Sequence, residues 1–176
     1  MRHFSTALRS SAVACLVAGT MAHAATVEHH CPSFLAVEGA PAPTHQGEFT
    51  VSPYTHHWHH SPEHKPVWLV ALDEPLPGNR FCGIALFSNS FGQPSTFVYA
   101  GQQFNQLMGH PQLFLKVSAG ILYGYVGKYQ DKVPLNHNGF SPAIIPAIGY
   151  RFNEHDSVQI KVLGTAGWMF SYGRSF

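Results

Sequence analysis

Between residues 113 and 125 the chain alternates with a period of two. Leu113, Leu115, Val117, Ala119, Ile121, Tyr123 and Tyr125 share one parity, and Phe114, Lys116, Ser118, Gly120, Leu122 and Gly124 share the other. Such alternation is the signature of a strand. One face is apolar and ends in two tyrosines, while the other carries a lysine, a serine and two glycines. A strand this apolar left uncovered would template aggregation. Two architectures cover it: the core of a soluble β-sandwich, or a barrel whose outer face meets lipid and whose interior is crowded and partly polar.

The first residues favour the barrel. Arg2 and Arg9 precede an apolar run over 12–22, interrupted at Gly19 and Thr20, and Ala22-His23-Ala24 has the small-x-small form of a cleavage site. Residues 1–24 therefore read as a secretory signal peptide. Cys15, after Ala12-Val13-Ala14, offers a lipoprotein-like alternative with an unusually short apolar segment. Cleavage after Ala24 leaves 152 residues, which suits one domain. No later run of roughly 18 apolar residues encodes a spanning helix. Hydrophobic residues make up 45% of the chain and charged residues only 11%, too few for a surface that meets water throughout. A net charge of +1 gives no basic patch, so no nucleic-acid partner is expected.

Residues 25–48, rich in Pro, Ala and His, read as a leader or linker. Residues 49–176 then break into strand-like runs at 49–58, 67–72, 81–89, 95–103, 113–125, 143–152, 157–164 and 167–176. Stretches 73–79, 108–111 and 153–156 have turn compositions. The polar stretches 55–65 and 127–139 are expected as the longer loops at one rim. Trp168, Phe170, Tyr172 and Phe176 share a parity, interrupted at Arg174, and a terminal aromatic resembles the assembly signal of outer-membrane barrels. The fold expected is all-β: an eight-stranded antiparallel outer-membrane β-barrel after a cleaved signal peptide, since in lipid only helices and closed barrels satisfy the backbone. An exported chain can oxidise Cys31 and Cys82 to one disulfide, although sequence does not fix their separation.

Three groups could carry chemistry. Five histidines fall in His56-His57-Trp58-His59-His60-Ser61-Pro62-Glu63-His64. His57 with His59, or His60 and His64 with Glu63, could begin a metal site but need further ligands; otherwise the run is a solvated loop. Ser88-Asn89-Ser90-Phe91 ends a strand, and a serine there becomes a nucleophile only with a base within reach, such as a histidine from 55–65. Pro142 and Pro146 start a strand without donating ladder hydrogen bonds. They mark either the end of a loop or a lateral gap in the wall.

From about Tyr54 to Phe176 the ordered motifs resemble the lipid A palmitoyltransferases of the PagP type. They include Tyr54-Thr55-His56-His57-Trp58, Pro66-Val67-Trp68, Asn89-Ser90-Phe91, Ala100-Gly101, the long apolar strand, Pro142 with Pro146, Gly149-Tyr150 and a terminal Phe. The resemblance implies an outer-membrane acyltransferase that moves a palmitoyl or similar chain from a phospholipid donor to a lipid A acceptor. It further implies a monomer among outer-membrane lipids, with no cofactor and no metal. By this carry-over His57, with His56 as the alternative, is the base and Ser90 its partner. Asn89 stands where the family has an aspartate and would orient the ester or stabilise its oxyanion. Gly101 would lie near the floor of an acyl well, and Pro142 and Pro146 would flank the lateral opening. The non-enzymatic alternative is a small outer-membrane barrel that binds lipid or is structural.

Overall fold

The computed structural model describes residues 30–176. The signal peptide and Cys15 lie outside these residues. Eight antiparallel strands close into one barrel in sequence order. They are β1 (Glu48–His57), β2 (Leu69–Leu76), β3 (Arg80–Ser88), β4 (Pro94–Asn105), β5 (Leu113–Tyr123), β6 (Phe140–Arg151), β7 (Asp156–Val162) and β8 (Gly167–Ser175). Pairing of β1 with β8 joins the two ends of the sheet, so the wall closes on itself as lipid requires.

The alternation read at 113–123 is the inside–outside alternation of β5. Phe114 and Lys116 are buried in the lumen, while Ala119, Ile121 and Tyr123 are exposed on the outside. The same inversion runs around the wall, where Phe49, Leu72, Ile84, Val98, Ile148 and Phe170 all point outward. An apolar belt of this kind is lipid-facing surface. Aromatic pairs border it at both rims: Tyr54 with Trp168 (centroids 5.7 Å apart) and Tyr123 with Phe140 (4.7 Å) at one, and Tyr150 with Phe152 (5.5 Å) at the other. Amphipathic rings favour that depth.

One reading of the sequence is corrected. Residues 73–79 are not all turn, because β2 continues to Leu76 and only 77–79 reverse the chain. Asp73 and Pro75 made the segment look like a loop. Inside the barrel, however, Asp73 has a partner: Lys116 Nζ donates to Asp73 Oδ2 at 2.6 Å and to Glu48 Oε1 at 2.8 Å. Tyr99 donates its hydroxyl to the other oxygen of Asp73, and Gln159 Nε2 donates to Glu48 Oε1 at 3.0 Å. A buried charge is tolerated only with such partners. The network forms a polar layer across the lumen. Phe81 lies against it, its ring centroid 4.6 Å from the Lys116 ammonium.

The leader contains a short 3-10 turn (Ser33–Leu35) and packs against the rim where β2 turns into β3. Cys31 is bonded to Cys82 of β3 across a Cα separation of 5.8 Å, so the two cysteines do pair. Arg80 Nη1 donates to Leu35 O, and Val37 N to Pro77 O. Closing a loop of 51 residues removes unfolded-state entropy equivalent to about 4 kcal/mol.

Candidate functional site at the long-loop rim

The loops over 58–68, 89–93, 124–139 and 163–166 converge at one rim, so the two polar stretches expected as long loops share an end of the barrel. They are tied together by backbone. Lys65 N donates to Ser90 O (2.9 Å), joining the first two loops, and Trp58 N donates to Ala166 O (3.1 Å), joining the first and last. At this junction His57, the inward-facing last residue of β1, places Nε2 2.7 Å from Ser90 Oγ. This is hydrogen-bond distance for a base and a hydroxyl. His56, one residue earlier, faces outward and stacks on Trp168 with centroids 5.5 Å apart. The pleat separates the two candidate histidines: one enters the site and the other joins the aromatic girdle.

Asn89 holds the second loop in shape. Its side chain is 1% exposed. Asn89 Oδ1 accepts from Phe91 N and Gln93 N, both at 3.0 Å, while Nδ2 donates to Gly124 O at 3.1 Å and to Gln93 Oε1 at 3.3 Å. Both ends of the amide are therefore spent on the loops, and Ser90 is presented by a turn whose geometry Asn89 sets. This arrangement uses the amide as an amide. A carboxylate would face the Gly124 carbonyl without a proton to offer.

Two further residues join the site: Tyr125, to which no motif gave a role, and Thr55, which the first motif contained without a role. Tyr125 belongs by parity to the apolar outer face, but Gly124 adopts φ +138 and breaks the alternation. The chain turns Tyr125 inward, to the mouth of the same cavity that Ser90 lines. Burial pushes the Tyr125 phenol above its ordinary value, so the group stays protonated. Thr55, two residues before His57 on the same inward face, leaves Oγ1 buried without a partner. Around them Phe91 stacks on Tyr129 (4.2 Å) and meets Tyr125 and His64 edge-on (6.2 and 5.7 Å). The His64 ring in turn lies 4.2 Å from His57.

Beneath this rim lies a cavity of about 410 Å³, within the range that binds small ligands. Asn89, Ser90, Tyr125 and Thr55 line its mouth, and Leu69, Ala85, Phe97, Leu122 and Ile145 are among its walls. Tyr99, Phe81, Asp73, Lys116 and Lys161 form its floor. Gly101 lies under that floor rather than on it. The ring of Phe81 covers Gly101 so closely that an added Cβ would sit 2.3 Å from it and 2.5 Å from Val117 O.

The cavity has access through the wall. β6 pairs with β7 only from Ala147↔Lys161 to Arg151↔Ser157, which leaves the part of β6 nearer the site unpaired on that side. Pro142 and Pro146 face outward along this open stretch, and Pro142 and Ile144 line the cavity although both point out of the barrel. The space thus reaches between the strands. A second break lies between β1 and β2, whose pairing stops at Ser52↔Leu69 below a bulge at 51–54.

Among the described residues no cluster of three or more His, Cys, Asp or Glu side chains could hold a metal ion. The fold and its lipid-facing surface define a small membrane β-barrel. No family model matches the chain, and no curated protein matches its sequence. Among solved structures, the N-terminal β-barrel domain of Pseudomonas aeruginosa OprF is similar at a TM-score of 0.42 and 15% identity. That likeness covers 75% of this chain and 97% of the other.

Proposed function

We propose that this chain is an outer-membrane acyltransferase that moves a palmitoyl or similar chain from a phospholipid to lipid A. The observation that carries the reading is the His57–Ser90 hydrogen bond at the mouth of an apolar well open to the side of the barrel. A phospholipid tail would pass the unpaired edge of β6 beside Pro142 and Pro146 and enter the well, leaving its ester at the rim. Burying a hydrocarbon chain there is favourable by about 0.8 kcal/mol per methylene. His57 would take a proton from the attacking lipid A hydroxyl as its oxygen bonds to the ester carbonyl carbon, and would return that proton to the glycerol oxygen when the donor's acyl–oxygen bond breaks and the lysophospholipid leaves. Ser90, donating to the carbonyl oxygen with Tyr125 behind it, would stabilise the developing charge. Asn89 acts one step removed, by fixing the turn that presents Ser90. Apolar walls, which exclude water, favour transfer over hydrolysis.

The second reading is a barrel that binds lipid without turnover. It is favoured by the ring of His64 standing against His57 where, among the described residues, no carboxylate is paired with it. The test is an assay of purified protein in detergent with a phospholipid carrying a labelled palmitoyl chain and with lipid A as acceptor. Label moving to lipid A, and lost in His57→Ala and Ser90→Ala, supports transfer. Retained phospholipid with no movement of label supports binding alone.

A further inference from the structure

The floor of the well is charged, and its charges are not equally satisfied. Lys116 holds both nearby carboxylates, Glu48 Oε1 at 2.8 Å and Asp73 Oδ2 at 2.6 Å. Lys161, also facing the cavity, has one hydrogen-bond partner among the described residues, the neutral Gln159 Oε1 at 2.9 Å. It stands in the electrostatic reach of Lys116 as well as of the two carboxylates. An ammonium inside a barrel wants an anion, and here the anions are already taken. Lys161 also sits at a particular place in the wall. It pairs with Ala147 at the last rung before β6 and β7 part, so its side chain lies at the base of the lateral opening.

An apolar well ending in a cation with room beside it matches an amphiphile with one anionic end. We propose that the well binds a long-chain fatty acid with its carboxylate on Lys161 and its hydrocarbon tail against Leu69, Phe97, Leu122 and Ile145. The ligand supplies the direct anionic contact that Lys161 does not have among the described residues, and the walls supply the apolar burial that holds the tail. The inference does not rest on the transfer reading. The donor's chain would enter methyl end first with its ester at the rim, whereas a free fatty acid is recognised at the opposite end of the same space.

The test is a titration of the detergent-solubilised protein at pH 7 with palmitate and, separately, with 1-hexadecanol, which has the same chain length and no charge. Palmitate should bind saturably near one equivalent and at least about tenfold more tightly than the alcohol, the ratio expected of one charge-assisted hydrogen bond. Lys161→Met should remove that preference while keeping affinity for hexadecanol, which also shows that the barrel is folded. Binding is read here without lipid A or any turnover, so failure of transfer and failure of the carboxylate site are separate results. Equal binding of acid and alcohol by the wild type overturns the proposal. So does a preference that survives Lys161→Met; its loss instead in Lys132→Met, a change in the 124–139 loop at a lysine that also lines the cavity, would put the carboxylate at the mouth.

Discussion

His57 Nε2 and Ser90 Oγ lie 2.7 Å apart although 33 positions of chain separate them, one at the end of β1 and the other in the turn after β3. Neither strand pairs with the other; the contact is made by barrel closure and by the Lys65–Ser90 backbone bond that brings the two loops together. If the pair works as a unit, its loss is not additive. Each of His57→Ala and Ser90→Ala should slow transfer by about 10²–10⁴-fold, and the double variant should be little slower than the worse single one. Rates of label transfer by the three purified variants check this. A double variant slower by the product of the two single effects would mean that the residues act independently.

Asn89→Asp restores the acid implied by the resemblance and should nevertheless harm this protein. The carboxylate keeps the two backbone N–H partners but loses both donors, and it faces Gly124 O and Gln93 Oε1. A loss of about 1–3 kcal/mol is expected from buried acceptors left opposed. Denaturant unfolding in detergent measures it. A variant as stable as wild type and more active would show that the position serves as an acid site rather than as a brace.

Tyr125 should titrate late. Burial disfavours its phenolate, so the folded-state value lies above the ordinary value of about 10. The folded protein therefore holds this proton longer than the unfolded chain, and the stability gained there is complete below about pH 10 and is lost as pH rises past it. The ultraviolet difference between wild type and Tyr125→Phe should show phenolate absorbance only above about pH 10. Its appearance at or below that pH would contradict the buried position of the ring.

Lys116→Met leaves Glu48 and Asp73 inside the lumen with their shared cation gone. Breaking a buried pair by removing one member costs about 3–5 kcal/mol. The triple change of Lys116→Met with Glu48→Gln and Asp73→Asn should recover much of it, because uncharged partners need no counter-ion. The comparison is read from midpoints of urea unfolding. Equal destabilisation of the single and triple variants would mean that packing around Phe81, not charge, dominates the layer.

The wall of this barrel was legible because a strand with one face in lipid and the other in a lumen alternates strictly, as β5 does. Where alternation fails, so does the reading. The end of β2 was hidden because Asp73 and Pro75 have loop compositions, and the partner that makes Asp73 a strand residue is Lys116, 43 positions away. Tyr125 was placed on the outer face because nothing before the structure showed that Gly124 takes a positive φ and reverses the side of the next residue. The His57–Ser90 pair was nameable from the order of motifs. The use of Asn89 by two loops depends on backbone atoms that carry no sequence signal.

The most direct measurement expresses the chain in a Gram-negative host lacking its own palmitoyltransferase and weighs the extracted lipid A by mass spectrometry. The account predicts lipid A heavier by one palmitoyl or similar chain, with the added mass lost in Ser90→Ala and His57→Ala. Unchanged lipid A from cells in which the wild-type barrel is folded and inserted in the outer membrane would contradict it.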